Sequence, residues 1–530
     1  MPIRVRELRL PIDGDESTLI QRALRCAGVA EEEVASVECA SQSLDRRRRT
    51  PEFVFAFDIH LKESPRGRRF KDRRVVWIDP PQETLPERGD DVLTAPPVIV
   101  GSGPAGLFAA WVLARAGYAP LVLERGHRMN ERVRHVEAFH RKSTLLPESN
   151  YLFGEGGAGC FSDGKLTCRG KDPRVRRVLD IFREFSGVES VGYYYRPHLG
   201  SDRVRAVVAR LRRSILEAGG GFRCGVTMEH VNQRGGRVVS VETSEGTIPT
   251  GAVILGPGHS ARDLYLNLLS DGVPLEQKPF QMGFRVEHPQ SFVNAAIYGN
   301  ADVAGRFGPA DYRLLTKING EGVFSFCMCP GGEIIPAVHD STHFNTNGMS
   351  YFSRDSTFAN SGIVTTLHPR EFGSDHPLEG IAVQEKYEAL AAQLAGSGFE
   401  LPSQRIEDFL SGAPSTSIPE TSCRSGARPT DVTGLVPPFI ATRIRSALAR
   451  FGDQMPGFLG NDGIICGPEA RSSSPVRIIR DRENRMSEGF DGLYPVGEGA
   501  GQAGGIVSAA VDGWRSAEAL IGKFSPCGVE

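Results

Sequence analysis

With 530 residues, 40% of them apolar, and 62 basic against 64 acidic side chains for a net charge of -2, the chain is ordinary globular material with no global drive toward nucleic acid or anionic membrane. Its ten cysteines are too sparse for a disulfide scaffold and, Cys327 and Cys329 apart, are scattered without zinc-ligand spacing, which excludes a small cross-linked secreted protein and a cysteine metal centre. A reducing cytoplasm fits this usage, and the opening MPIRVRELRL has no apolar run of secretory-leader length.

The first elements are short. Residues 4–10 read as a strand, and 15–27 as a helix whose apolar face is Ile20, Ala23, Leu24 and Ala27, closed by Gly28. From 52 to 62 the pattern alternates, with Phe53, Phe55, Phe57, Ile59 and Leu61 on one face, as a half-buried strand requires. These pieces predict a small α+β domain over 1–85, followed by a proline-rich linker, Asp79 to Pro97. The segment 44–74 is locally basic, with Arg46 to Arg49, Lys62, Arg66, Arg68, Arg69, Lys71, Arg73 and Arg74. Such runs are usually solvated faces, so nucleic acid is not the expected partner.

At Val98 a buried strand leads through a glycine turn into a helix and a second buried strand, the pattern of a parallel βαβ unit. The turn is Gly101-Ser102-Gly103-Pro104-Ala105-Gly106, a GxGxxG in the context that makes it a dinucleotide fingerprint. Gly101 permits the tight turn, Gly103 the close approach of a pyrophosphate and Gly106 the packing of helix on strand, while the helix N-terminus offers free N–H groups. Glu124, 23 residues after Gly101, ends the second strand where a carboxylate can accept from ribose hydroxyls, and Arg125 follows it. These glycines also break the most apolar stretch, 97–123, so no membrane span is expected.

Further on, AVILGPGHSARD (252–263) ends a strand in Gly256-Pro257-Gly258, with His259, Arg262 and Asp263 opening a helix. Arg262 and Asp263 read equally well as solvated capping groups. Cys327 and Cys329 lie two apart on a strand, hence on one face, where buried structural thiols are a simpler reading than a redox pair. His198, His259 and His368 stand alone without metal spacing. Near the end, a strand to Val496 runs into Gly497, Glu498 and Gly499 and then a helix beginning about Gly504 or Gly505.

This return resembles the second FAD-contacting motif of the glutathione-reductase-like flavoproteins, and Gly256-Pro257-Gly258 resembles the strand end of the same superfamily. The strings SNYLFGEGGAGCFSDGKL (149–166), GHSARD (258–263), FCMCPGG (326–332), NGMSYFSRD (347–355), SSSPVRI (472–478) and GEGAGQAGGIVSAAVDG (497–513) are, more closely, similar to a widespread family of FAD-dependent dehydrogenases, most of whose members have no assigned reaction. The resemblance spans nearly the whole chain. It implies FAD as cofactor, with Glu498 near the ribityl-pyrophosphate and the helix after Gly504, Gly505 and Ile506 aimed at the flavin pyrimidine edge. It also implies a loop over the pyrophosphate and isoalloxazine that offers Gly156, Gly157, Ala158, Gly159, Ser162, Asp163 and Lys165, with Val226 a further cofactor contact. The chain departs from the family pattern at Cys160, where threonine is usual, and at Gln502, where tyrosine is usual, which suggests a specialised reaction.

The predicted architecture is therefore α/β: a Rossmann-like FAD-binding domain over 96–284 and 461–530, an inserted α+β substrate domain over 285–460, and the small N-terminal α+β domain. The predicted activity is that of a cytoplasmic flavoenzyme holding a small-molecule organic substrate over the isoalloxazine ring. No second GxGxxG follows a strand, so electrons are expected from the substrate itself, as in a dehydrogenase or oxidase. Transient NAD(P)H or another carrier, as in a monooxygenase or reductase, is the alternative; an FAD-dependent RNA-modifying protein and a non-catalytic redox regulator are the rivals. His259, Glu469 and Glu498 are candidate bases among which the residues do not choose.

Overall fold

Alternating apolar residues build the first sheet of the computed structural model, which describes residues 1–11, 14–45, 52–63, 69–79, 85–299, 304–305, 308–460 and 462–528. Strands β1 (Ile3–Pro11), β2 (Val34–Asp45), β3 (Glu52–Leu61) and β4 (Val75–Trp77) form an antiparallel sheet in the order β2-β3-β1-β4. Phe53, Phe55, Phe57 and Ile59 are buried with Ile3, Val5, Leu8 and Leu10, and helix α1 (Thr18–Ala27) adds Leu19, Ala23, Leu24 and Ala27 to the buried set. Ile20, expected inside, is 45% exposed, and Leu19 replaces it. The reason is phase: Leu19, Ala23 and Ala27 recur every four residues, and Ile20 falls a further 100° around the helix. Gly28, with φ of 61°, caps α1 as its left-handed conformation requires.

Residues 165–198, which include a helix over Arg174–Ser186, belong to the same compact unit as residues 1–85. There the Tyr194 backbone bridges in parallel to Gln42 of β2. The basic cluster Arg46 to Arg49, with Arg66 and Arg68, lies outside the described residues.

The second unit takes in 86–164 and 199–530. Strand β5 (Val98–Val100), helix α2 (Pro104–Arg115), strand β6 (Leu121–Glu124), helix α3 (Met129–Lys142), helix α4 (Gly200–Glu217) and strand β7 (Gly221–Cys224) follow in chain order. An antiparallel meander, β8 (Met228–Arg234), β9 (Arg237–Thr243) and β10 (Gly246–Pro249), precedes strand β11 (Val253–Leu255) and helix α5 (Arg262–Ser270).

Next come β12 (Phe280–Pro289), β13 (Leu315–Ile318), β14 (Glu321–Cys329), β15 (Phe358–Leu367), helix α6 (Glu379–Ala395), β16 (Leu401–Arg405), β17 (Ala427–Pro429) and β18 (Ile464–Glu469). Strand β19 (Leu493–Pro495) and helix α7 (Ile506–Lys523) close the unit.

Five of these strands form a parallel sheet in the order β19-β11-β5-β6-β7. Seven others form a mostly antiparallel sheet in the order β13-β14-β15-β12-β18-β16-β17. The parallel strands are apolar on both faces, as burial between two layers demands: Val98, Ile99, Val253, Ile254, Leu255, Val122 and Leu123 have almost no exposed surface. Part of the proline-rich linker is tied down, since Asp91–Val92 pairs in parallel with Phe524–Ser525. No helix among the described residues is long and apolar enough to cross a membrane.

Cys327 and Cys329 do not share a face of a regular strand. The register of β14 against β15 slips between Phe326 and Cys329, and Cys327 takes a left-handed φ of 42°, so a bulge cancels the alternation. Cys329 is buried and Cys327 half-buried, and neither forms a disulfide.

Candidate functional site

The parallel strands β5, β11 and β19 end side by side, and the turns that leave them meet through glycines. A methyl group on Gly101, where φ is 88°, would fall 2.2 Å from the Gly256 carbonyl oxygen, and one on Gly106 would fall 1.9 Å from the Gly101 carbonyl oxygen. Both positions are therefore closed to any side chain. Gly103 differs: its missing side chain would meet nothing within 4 Å, which leaves backbone facing open space in front of α2. Pro104, which has no N–H, opens that helix, and the Ala105 and Gly106 N–H groups of its first turn have no partner within the helix.

Glu124, 5% exposed, closes the turn from the next strand. It accepts hydrogen bonds from the Ser102 amide at 3.0 Å, the Ser102 hydroxyl at 2.6 Å and the Gly126 amide at 2.9 Å. A carboxylate has about four lone-pair sites, so one stays available to a ribose hydroxyl. Ser102 Oγ in turn accepts from the Gly156 amide at 3.1 Å and brings the second glycine loop against the first.

That loop is shaped by Arg132 on α3, a residue that no motif singles out. With no exposed surface, its guanidinium donates to the carbonyl oxygens of Asn150, Tyr151, Gly154, Glu155 and Gly157 at 2.8–3.1 Å. Burial pulls its pKa down to about 10, and it remains charged at neutral pH. Glu155 braces the loop from the other side, accepting from the Met129 amide and from Arg212, both at 2.7 Å. Cys160 is fully buried, and burial pushes its thiol up to about 11, out of the reactive range.

On the C-terminal side, the Gly497 amide donates to Asp512 at 2.9 Å, and Arg480 and Arg485 hold the same carboxylate at 2.7 and 2.5 Å. Helix α7 packs against α2 so closely that a methyl on Gly513 would fall 1.9 Å from the Ala105 carbonyl oxygen. Gly505, with φ of 140°, opens α7. A methyl on Gly159 would lie 3.3 Å from Ile506, whereas Gly258 and Gly504 face nothing within 4 Å.

Solvent thus reaches Gly101, Gly103, Pro104, Gly157 to Gly159, Gly256 to His259, Glu498 and Gln502 to Ile506, along a stripe whose neighbours are buried. The stripe has backbone donors and open space, and the buried Glu124 carboxylate lies behind its first turn.

Other residues expected at the cofactor have partners within the chain. Arg125 bridges Glu148 at 2.6 Å and Asp263 at 2.9 Å over the Phe153 ring, so Asp263 is an ion-pair partner. Val226 is buried, its amide donating to the Glu124 carbonyl oxygen. Ser162 bonds locally to the Gly159 carbonyl oxygen, and Asp163 holds Ser350 at 2.6 Å and Arg354 at 2.8 Å. Lys165 belongs to the first unit.

Among the candidate bases, Glu469 is already committed. Arg285 grips both of its oxygens at 2.8 and 2.9 Å, and Thr346 donates to one at 3.2 Å. His259 Nδ1 stands 3.8 Å from Glu498 Oε1. Burial, with Arg471 and Arg262 nearby, holds this imidazole down at about 4, and burial lifts Glu498 to about 7. Arg262 is no solvated cap: it and Arg471 clasp the fully buried Glu388 at 2.7–2.9 Å through both oxygens.

Residues 279–472 match the family described as FAD-dependent protein, C-terminal domain-like, and residues 99–142 match the NAD(P)-binding Rossmann-like domain. An uncharacterized protein of Clostridium beijerinckii is 36% identical over 531 aligned positions that cover 99% of each chain. Solved structures with weaker similarity include L-proline dehydrogenase from P. horikoshii (12% identity, 82% of this chain and 93% of that one covered, TM-score 0.36). Glycine oxidase from Bacillus cereus is similar at 12% identity, with 81% of this chain and 95% of that one covered and a TM-score of 0.34.

Proposed function

This FAD-dependent oxidoreductase belongs to the family of the Clostridium beijerinckii protein, and we propose that it oxidises a small organic substrate, drawing electrons from that substrate rather than from a nicotinamide. The observation that carries the reading is the division between the sheets. The parallel sheet ends on one glycine cradle, while the chain between β11 and β19 is spent on a seven-stranded, mostly antiparallel sheet rather than on a second dinucleotide unit.

FAD, when bound, supplies the two-electron chemistry. The residues of this chain do the holding. The N-terminus of α2 and the turn Gly101 to Gly106 would take the pyrophosphate, the free lone pair of Glu124 the adenosine ribose, and the N-terminus of α7 at Gly504 to Ile506 the pyrimidine edge. This is a glutathione-reductase-like arrangement. Ser102 and Arg132 fix the two glycine loops against each other, so that the cradle is formed before the cofactor arrives. A cytoplasmic location is part of the proposal, in keeping with ten free thiols.

Turnover of a metabolite pool under oxygen-18 gas tests it. A product lighter than its substrate by two hydrogens and free of the label supports substrate oxidation. Label in the product would make the protein a monooxygenase.

A further inference from the structure

Lys278 is unlike the arginines where the two sheets meet. Arg262 and Arg471 share Glu388, Arg285 grips Glu469, Arg480 and Arg485 hold Asp512, and Arg477 reaches Glu276 at 2.9 Å. The half-buried Lys278 ammonium donates to the Ser474 carbonyl oxygen at a long 3.4 Å, and no carboxylate among the described residues comes within 4.0 Å of it.

Backbone pairing fixes its place. Leu275–Gln277 pairs antiparallel with Val476–Ile478, and the Lys278 amide donates to the Pro475 carbonyl oxygen at 2.8 Å just before β12 begins. The same ribbon abuts the turn that leaves β19. There the Ile478 amide donates to the Ala500 carbonyl oxygen at 3.2 Å, and a methyl on Gly501 would fall 2.6 Å from the Val476 carbonyl oxygen. Lys278 therefore stands where the cradle meets the seven-stranded sheet, with Arg477 and Glu498 as the charged groups that act on it. Burial, then Arg477, lowers its pKa, so the ammonium is held here at a cost that no ion pair in the chain offsets.

A second donor lies beside it. Gln281 of β12, half-buried, has its side-chain carbonyl occupied by the Ser473 hydroxyl at 2.7 Å, next to the Ser474 carbonyl that Lys278 touches. That bond leaves the Gln281 amide hydrogens without a partner among the described residues, and one cation and one amide converge on residues 472–474. Gln281 opposes Thr366 of β15, and Val364 and Gly362, on the same face of β15, oppose Phe324 and Phe326 of β14. Both phenylalanines are half-buried, so the polar corner adjoins an aromatic surface.

Resting on the reading that an organic substrate is oxidised over the cradle, we propose that the substrate is a monocarboxylic acid, its carboxylate anchored by Lys278 and Gln281 and its apolar body laid along Phe324 and Phe326. Charge sets the class. One ammonium without an ion pair matches one negative charge. A phosphate dianion would need a second cation, but Arg477 is bound to Glu276 and the other charged neighbour, Glu498, is an acid.

Absorbance titration of the holoprotein with monocarboxylates from acetate to phenylacetate, each paired with its neutral amide, tests this. The acids should shift the flavin bands saturably, phenylacetate most tightly, and the matching amides should bind at least about tenfold more weakly. Lys278→Met should weaken phenylacetate by about tenfold or more while keeping the FAD content and melting temperature of the wild type, and Lys278→Arg should retain most of the affinity. Amides that bind as tightly as the acids, silence of the whole series, or undiminished phenylacetate affinity in Lys278→Met would overturn the proposal. Lys278→Met protein purified without FAD would also overturn it, by assigning the lysine to the cofactor. The titration needs no turnover, so failure of the substrate-oxidation reading, seen as flavin reduction by a nicotinamide alone, shows separately.

Discussion

The guanidinium of Arg132 donates to the Gly157 carbonyl oxygen at 2.8 Å from a side chain with no exposed surface, and through it helix α3 dictates the shape of the second glycine loop. A buried acceptor left unpaired costs about 1–3 kcal/mol, and Arg132 serves five of them. Arg132→Met should lower the melting temperature sharply and yield protein that has lost its FAD, with Arg132→Lys intermediate. Thermal melts and the flavin-to-protein absorbance ratio check this; a yellow Arg132→Met protein with an unchanged melt would contradict it.

Helix α7 offers a matched pair of glycines. Gly513→Ala would drive a methyl to within 1.9 Å of the Ala105 carbonyl oxygen and should destabilise the protein by about 1–3 kcal/mol, since the α2 backbone cannot retreat from β5. Gly522, on the same helix, is exposed and has nothing within 4 Å. Gly522→Ala should be neutral or stabilising by up to about 1 kcal/mol, because alanine is the better helix former. Denaturant unfolding of both variants separates packing from propensity.

The Arg262–Glu388–Arg471 cluster should set the acid limit of stability. Burial alone would raise the Glu388 carboxyl, but the two guanidiniums outweigh it and hold it at about 2, below its unfolded value near 4.5. Its contribution is therefore complete above pH 4.5 and is lost as pH falls toward 2. Glu388→Gln leaves two buried guanidiniums uncompensated, which costs about 3–5 kcal/mol at pH 7 and should flatten the acid limb of the stability curve. An unaltered limb would show that other carboxylates govern acid unfolding.

Asp263→Asn should do little by comparison. Asp263 is 54% exposed and Glu148 still holds Arg125, so the loss should stay within about 1 kcal/mol. The contrast with Glu388→Gln, read in one denaturation series, measures how far burial decides the worth of an arginine–carboxylate pair in this chain.

What could be read from the sequence was local. The turn Gly101 to Gly106, the acid at Glu124 and the cap at Gly505 follow from residue types within a few positions of one another, and the structure brings them to one cradle. Arg132 was not legible, because the carbonyls it serves lie 18–25 residues on and carry no residue signature. Nor was the role of Arg262, whose partner Glu388 is 126 residues away. Pattern alone misled at two places: a helix that starts at Thr18 puts Leu19 inside rather than Ile20, and the bulge at Cys327 breaks a strand that reads as regular. Both are matters of phase, which tertiary packing fixes.

Electrons should reach the flavin from an organic substrate. Anaerobic stopped-flow absorbance of the holoprotein, mixed separately with NADH, NADPH and fractions of small organic metabolites, reads their source. Bleaching of the flavin bands by an organic fraction and not by either nicotinamide is the expected result. Rapid bleaching by a nicotinamide alone, with no organic fraction effective, would contradict it.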